Sequence, residues 1–141
     1  MNSIFKDCSK LTSINFTNFK TKMIKDMGSC FHGCSSLDNI KLSSFYTKNI
    51  DNMTSMFEGC SSLTSIDLSN FIIHNLRSIN YIFYNCNNLK YIDISYLFFN
   101  LKNYTLFNVL PEKGAIKISN NIYNQIKNKI PLKWEIKIIN S

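Results

Sequence analysis

The chain has 141 residues, of which 45% are apolar, and a formal net charge of +7. This size predicts one domain that buries its core without disulfides or metal, and the sequence has no run of about 18 apolar residues that would span a membrane. Residues 1–97 carry nine basic and seven acidic side chains, so the excess charge lies in a lysine-rich tail. That tail lacks the arginine and aromatic interleaving typical of nucleic-acid-binding proteins, so we do not expect nucleic acid as the partner.

An internal repeat dominates the first two thirds of the chain. Four copies of the pattern Phe-x-x-Cys-x-x-Leu-x-x-Ile begin at Phe5, Phe31, Phe57 and Phe83, each 26 residues after the last. A period of this length is typical of a solenoid, in which one unit is repeated and stacked so that neighbours bury each other's apolar faces. Positions that vary among the copies are then free for recognition.

Each copy is predicted to contribute one strand. The Cys, Leu and Ile positions of the pattern form core columns, and a second apolar residue follows each Ile, as in Ile66-Asp67-Leu68, which is the alternation of a short strand. In the first copy this strand would run over residues 11–16. A hydroxyl residue recurs just after each strand and suggests a hydrogen bond to the backbone of a turn. The cysteine column is Cys8, Cys34, Cys60 and Cys86.

A short helix is predicted between each strand and the next cysteine. In residues 50–60, apolar side chains recur at spacings that place them on one side of a helix. The residue before each column cysteine is Asp7, Gly33, Gly59 or Asn85, types that tolerate the left-handed conformation that commonly ends a helix. The stacked copies therefore predict an α/β solenoid, with parallel short strands on one face and short helices on the other.

Residues 98–141 depart from the pattern and are predicted to form a C-terminal capping unit, which leaves residues 1–97 as the repeat region. An open end of such a stack exposes apolar surface, and an atypical unit covers it. The expected elements are a strand over residues 114–118 after a turn at Pro111, a helix with Ile122, Ile126 and Ile130 on one face and Asn120 or Asn121 as its cap, and a strand over residues 134–138. At the other end we expect the strand over residues 11–16 to be an unprotected edge.

The segment Met56 to Phe71 reads Met-Phe-x-x-Cys-x-x-Leu-x-x-Ile-Asp-Leu-Ser-x-Phe. This pattern resembles the BspA-like leucine-rich repeat of mycoplasmal and protist surface proteins, and the resemblance covers residues 4–97. The ending Pro131-x-x-Trp134-x-Ile136 is similar to the terminal unit of the same family. The resemblance implies a leucine-rich-repeat fold and a non-enzymatic role in adhesion at the cell surface.

Enzymatic and metal chemistry receive little support from the residues. The segment Cys30-Phe31-His32-Gly33-Cys34 places two thiols and an imidazole together, but Cys30 and Cys34 fall in core columns, and a packed structural thiol is the favoured interpretation. No serine or cysteine nucleophile stands beside His32 or His74. The carboxylates of Asp67 and Asp93 are predicted to lie on adjacent strands, but neighbouring acids are common in repeat proteins. We expect no catalytic residue, no cofactor and no metal.

The residues that flank the buried Ile of each strand point away from the core and vary among the copies. Such variation on a fixed scaffold is what recognition requires, although an unconstrained solvent face would look the same. The sequence thus predicts that a protein partner, from a host or from the same cell, binds here, with the aromatic Tyr91 as the strongest contact. The predicted partner-binding residues are Ser13, Asn15, Asn39, Lys41, Ser65, Asp67, Tyr91 and Asp93.

Two other functions stay open at this point. The chain could be a structural solenoid that self-associates through the strand over residues 11–16, by edge pairing. Alternatively, docking of the lysine-rich tail on nucleic acid or anionic lipid would show steep salt dependence. The N-terminal residues 1–7 lack a basic segment followed by an apolar one, so we expect no secretory signal in them. If Met1 is the true start, this predicts a cytoplasmic location. A location at the cell surface is what the resemblance to the BspA-like family implies.

Overall fold

The computed structural model describes residues 1–97 and 110–139. Within these residues, four strands form one parallel sheet in the order of the chain, β1-β2-β3-β4. The elements are β1 (Ser65–Asp67), β2 (Tyr91–Asp93), β3 (Gly114–Ser119), α1 (Asn120–Ile126), a single 3-10 turn (Lys127–Lys129) and β4 (Trp134–Ile139). The architecture is therefore α/β, with a four-stranded parallel sheet and one short helix. None of the helices in the described part of the chain is long and apolar enough to cross a membrane.

The sheet aligns the isoleucine column that the repeat predicted. Ile66 of β1 lies beside Ile92 of β2, and Ile92 lies beside Ile116 of β3. All three side chains are buried. The strands expected in the third and fourth copies are thus confirmed, and the C-terminal unit continues the same sheet.

The strands expected in the first and second copies are absent, because neither residues 11–16 nor residues 37–42 form a strand in the structure. The second copy is joined to the third by single bonds such as Thr64 N–H to the carbonyl oxygen of Asp38, at 3.3 Å. A cleft of about 420 Å³ is lined by residues of both the first and the second copies. No backbone hydrogen bond joins residues 11–16 to residues 37–42, so no ladder forms between these two segments.

The predicted helices of the repeat are wrong. Residues 28–33 and 54–59 form turns, because each segment contains two residues with positive φ four positions apart. In the second copy these are Ser29 (φ 53) and Gly33 (φ 72), and a left-handed residue every fourth position interrupts a right-handed helix. The corresponding pairs in the other copies are Ser3 and Asp7, Ser55 and Gly59, and Tyr81 and Asn85.

In place of helices, the turns form a ladder of hydrogen bonds between copies, which we call the turn ladder. The amides of Met27, Ser29, Phe31 and Gly33 donate to carbonyl oxygens of the third copy, 25 residues further on, over 2.7 to 2.9 Å. The intervening amides, such as that of Cys30, donate three residues back within the same turn. The third copy repeats this arrangement against the fourth, with donors Met53, Ser55, Phe57 and Gly59.

Phenylalanine rings stack beneath the turn ladder. The ring centroids of Phe5 and Phe31 lie 5.5 Å apart, those of Phe31 and Phe57 also 5.5 Å, and those of Phe57 and Phe83 6.2 Å, with the planes within 12° of parallel. Each ring therefore packs against the equivalent ring of its neighbour. Apolar burial and aromatic contact together bind one copy to the next.

The cysteine column also links the copies. The Sγ of Cys34 donates to the carbonyl oxygen of Phe5 at 3.0 Å, and Cys60 and Cys86 donate in the same way to Phe31 and Phe57. These three thiols are buried, as the column predicted, but Cys8 is exposed. Among the described residues, the thiol of Cys8 makes no equivalent bond to a phenylalanine carbonyl.

The described part of the C-terminal unit follows the sequence closely. Both predicted strands are present, and the predicted isoleucines of the helix are buried. The helix cap is Ser119 rather than Asn120 or Asn121, since the Ser119 hydroxyl accepts the amide hydrogen of Ile122. The Trp134 indole N–H donates to the carbonyl oxygen of Pro111 at 2.9 Å. Residues 98–109 and 140–141 of the predicted cap lie outside the described residues.

Thiol reactivity follows from this burial pattern. We expect one thiol per chain, that of Cys8, to react promptly with a thiol reagent in the native protein, because the thiolate must be exposed to attack. All five cysteines should react after denaturation. Peptide mapping after native alkylation measures this, and prompt labelling of Cys30 or Cys60 would contradict the packing described above.

Backbone conformation at Gly59 gives a second prediction. A Cβ at this position would make only ordinary contacts at 3.5 Å, so any loss on substitution comes from the φ of +74°. Gly59→Ala should lower the free energy of unfolding by about 1 kcal/mol. Gly59→Asn should lower it less, because Asn85 adopts this conformation at the equivalent position. Urea unfolding compares the two variants, and equal losses would contradict a conformational cause.

Candidate functional site

The predicted partner-binding residues separate into two groups along the outward face of the strands. Ser65 and Tyr91 are direct neighbours in the sheet, as are Asp67 and Asp93, so these pairings are confirmed by the strand register. The group from the first two copies, Ser13, Asn15, Asn39 and Lys41, lines the cleft between those copies. Seven of the eight residues are exposed, and Asp93 is the exception.

The cleft has a polar wall and an apolar base. Phe16 is buried and Ile14 half-buried, while exposed amides and hydroxyls form the sides. The side-chain oxygen of Asn15 accepts hydrogen bonds from the amide and the hydroxyl of Thr17, at 2.9 and 2.5 Å, so Asn15 is held in place. The other polar lining residues are Ser13, Asn39, Lys41, Ser43 and Ser44. Ser43, Ser44 and Thr17 were not among the predicted binding residues, because no residue pattern in the sequence marks this cleft.

Lys41 holds a central position on this face. It is exposed, and it is the charged residue among the described residues that line the cleft. It also lines a smaller cavity of about 130 Å³ that reaches Asp67 and Asn70 of the third copy. The cleft can therefore offer hydrogen-bond donors and acceptors, one positive charge and an apolar base to a bound group.

Asp93 is part of the fold rather than of the exposed face. Its residue surface is only 4% exposed, which corrects the prediction of a solvent-facing acid. One carboxylate oxygen accepts from the amide and hydroxyl of Ser95, at 3.0 and 2.5 Å, and the other accepts from Lys117 Nζ at 2.9 Å. Burial alone would raise the pKa of Asp93, but the hydrogen bonds from Ser95 and Lys117 outweigh burial and hold that pKa below its usual value.

Lys117 is a member of this group that the sequence reasoning missed. Lys117 lies in the lysine-rich tail, and Ile116-Lys117 aligns with Ile92-Asp93 and Ile66-Asp67 once the isoleucines are superposed. The register places Lys117 beside Asp93. The hydrogen bond and the charge of Asp93 raise the pKa of Lys117. The ammonium group of Lys117, in the next strand, thus forms an ion pair with the buried carboxylate of Asp93.

Asp67 and Tyr91 remain available at the surface. The carboxylate of Asp67 accepts from the backbone amide of Ser69 at 2.8 Å and is otherwise directed toward solvent, since Asp67 is exposed. Tyr91 is 37% exposed, and burial together with the charge of Asp93 raises the pKa of its hydroxyl. The predicted hydrogen bond from the hydroxyl after the strand to the turn backbone is corrected here. Instead, the backbone amide of Ser69 donates to the Asp67 carboxylate.

The two thiols of the Cys30-to-Cys34 segment are buried. Burial raises the pKa of Cys30 to about 12 and that of Cys34 to about 11, so both stay protonated near neutral pH. The Nδ1 of His32 lies 3.7 Å from a carboxylate oxygen of Glu58, in the neighbouring copy. Over residues 1–97 and 110–139, no group of three or more His, Cys, Asp or Glu side chains is arranged to hold a metal ion.

Comparison with protein families places this chain beside an uncharacterised family. A family model described as "Mycoplasma protein of unknown function, DUF285" matches residues 1–124. The match covers all four copies of the repeat and extends through β3 into α1. Comparisons with curated proteins and with solved structures found no match.

The role of Asp93 can be tested through pH. Because its pKa is lowered in the folded state, the ionised carboxylate stabilises the fold above about pH 4, and this contribution is lost as the pH falls through the lowered pKa. Asp93→Asn should therefore cost about 2 kcal/mol of unfolding free energy at pH 7. The difference from the unmodified protein should shrink steadily below pH 4.

The matched control is Asp67→Asn, the same change at the neighbouring register position, where the acid is exposed. We expect a clearly smaller loss at pH 7, measured by urea unfolding of both variants. Equal losses at the two positions, or a loss at Asp93 that does not depend on pH, would contradict the assignment of a buried ion pair.

Proposed function

The chain belongs to the DUF285 family of mycoplasma proteins of unknown function, and from that premise we propose that it is a non-enzymatic protein-binding module of the leucine-rich-repeat type. It recognises a partner protein through the outward face of its strands. Adhesion is the biological role that the resemblance to BspA-like proteins favours.

The contacts between copies support the repeat part of this proposal. The turn ladder, the stacked phenylalanines and the thiol bonds all recur at 26-residue intervals, so the turn side of each copy packs against its neighbours in the same way. Repetition of one packing interface along a chain is the defining property of a solenoid. A parallel sheet built in chain order, together with these turns, supports the proposed leucine-rich-repeat type.

The cleft at the first two copies is the observation that carries the binding function. Its volume of about 420 Å³ falls within the range of ligand sites, and four of the residues chosen by sequence variation line it. A bound protein segment would find hydrogen-bonding groups on the walls and apolar contact with the half-buried Ile14. Lys41 favours a segment that carries an acidic side chain.

The outward face beyond the cleft extends this binding surface. Lys41 lines the small cavity that leads to Asp67, and Tyr91 follows on the next strand. Aromatic side chains contribute strongly to protein interfaces, and Tyr91 is exposed enough to be covered by a partner. A partner anchored in the cleft would therefore reach Tyr91 by lying across the strands.

Two features argue for binding without catalysis. The buried thiols have raised pKa values and make poor nucleophiles. In the carboxylate pair of Asp67 and Asp93, the second acid is already bound by Ser95 and Lys117, so it is not available to exchange a proton with a substrate. The alternative function, self-association through a strand over residues 11–16, loses its premise because those residues form no strand.

The proposal is tested by a pair of charge reversals. Lys41→Glu places a negative charge in the cleft, and Lys48→Glu makes the same change at an exposed lysine that does not line the cleft. Binding of each variant and of the unmodified protein is measured on immobilised extracellular-matrix proteins and on proteins of the cell's own lysate. Unchanged circular dichroism confirms that both variants fold.

We expect the unmodified protein and Lys48→Glu to bind the same partner with equal affinity, and Lys41→Glu to bind it about tenfold more weakly, or about 1.4 kcal/mol. The identity of that partner then separates adhesion from a role inside the cell. Equal binding by all three proteins would contradict recognition at the cleft, and absence of any partner on either panel would contradict the binding function.

A further inference from the structure

Three short segments, at residues 20–22, 46–48 and 72–74, occupy equivalent positions in the first three copies. Their exposed side chains form a surface that we call the loop face. We propose that the loop face docks on the headgroup region of an anionic lipid bilayer. This surface is separate from the strand face, and the inference does not depend on the function proposed above. The residues of the loop face are Lys20, Lys22, Tyr46, Lys48, Ile72 and His74.

Hydrogen bonds between copies hold the three segments side by side. The amide of Tyr46 donates to the hydroxyl oxygen of Thr21 at 2.7 Å, and the amide of Ile72 donates to that of Thr47 at 3.0 Å. Thr21 and Thr47 are buried, and so is Ile73 at the equivalent position. In each segment one buried residue therefore stands between two exposed ones, and the exposed ones line up across the copies.

The apolar part of this surface is open to water. Tyr46 is 40% exposed, Ile72 is 41% exposed, and the adjoining Met23 is 83% exposed. Asn49 and Asn75, which are equivalent to Met23 in the next two copies, are also exposed, so exposure at this position is a property of the repeat. Transfer of apolar side chains from water to the interface of a bilayer is favourable, and the amphipathic ring of tyrosine is common there.

The charge of this surface has one sign. Lys20, Lys22 and Lys48 are exposed, and none of them forms an ion pair with an acid of the described residues. Asp and Glu are absent from residues 17–25, 43–50 and 69–76. Such lysines attract negatively charged headgroups. When lysines and apolar side chains share one face, the two contributions to membrane binding add.

This combination decides between the anionic partners that lysines alone would admit. A nucleic acid would satisfy the lysines, but it would leave Met23 and Ile72 in water, because its phosphates offer no apolar contact. A bilayer satisfies both kinds of side chain, since its headgroups carry the charge and the acyl boundary beneath them accepts apolar groups. The observations thus favour a lipid surface over a nucleic acid.

Sedimentation with lipid vesicles tests the charge requirement. The protein is mixed with vesicles of phosphatidylcholine alone, or with vesicles of phosphatidylcholine and phosphatidylserine in equal parts. The double variant Lys20→Glu, Lys22→Glu reverses two charges of the loop face. The matched control, Lys113→Glu with Lys137→Glu, makes the same change of net charge at two exposed lysines of the lysine-rich tail. Circular dichroism confirms that both variants fold.

We expect the unmodified protein to bind the phosphatidylserine vesicles at least about tenfold more tightly than those of phosphatidylcholine alone. The loop-face variant should lose this preference, whereas the tail variant should keep it within about twofold, because its lysines lie outside the contact. Equal losses in the two variants would overturn the proposal, and so would equal binding of the unmodified protein to both kinds of vesicle. Binding to a single-stranded oligonucleotide and to neither vesicle would also overturn it.

A gain of binding tests the apolar part, since a gain cannot come from unfolding. Met23→Trp adds a ring that prefers the bilayer interface next to the loop face, and Leu132→Trp makes a comparable change at a fully exposed residue elsewhere. We expect Met23→Trp to strengthen binding to the phosphatidylserine vesicles about tenfold, and Leu132→Trp to leave it unchanged within about twofold. Equal gains at the two positions, or no gain at Met23, would overturn the proposal.

Discussion

The turn ladder is the interaction on which the rest of this structure depends. Alternate residues of each turn donate to the next copy while the residues between them close the turn itself, so one backbone segment satisfies local and long-range bonds together. The left-handed residues, such as Ser29 and Gly33, make this possible because they turn successive amides in opposite directions. The ladder sets the spacing of the copies, and the stacked phenylalanines and buried thiols follow from that spacing.

The sequence predicted the core of this arrangement but not its backbone. The 26-residue period identified the columns, and those columns are buried wherever a neighbour is present on both sides. The prediction of a helix in each copy was wrong because apolar residues three and four positions apart fit a chain of tight turns as well as a helix. Gly33 and Gly59 signalled a left-handed position, whereas Ser29, Ser55 and Tyr81 carry no such signal and adopt it because the ladder requires it.

The candidate site was also predictable from the sequence only in part. The period alone placed Asp67 beside Asp93, because the register of parallel copies is fixed by their spacing. It did not show that Asp93 would be buried, because the partner that satisfies it, Lys117, comes from a unit outside the repeat. The cleft was also not predictable from the sequence, since the first two copies carry the same column residues as the later ones but form no strands.

The most direct test of this account is a measurement of hydrogen-bond partners by NMR. A scalar coupling transmitted through a hydrogen bond identifies the carbonyl that accepts a given amide. The amide of Phe31 should couple to the carbonyl carbon of Met56 in the next copy, 25 residues away. Coupling to the carbonyl carbon of Met27, four residues back, would mean that the segment is an α-helix after all, and it would contradict the turn ladder.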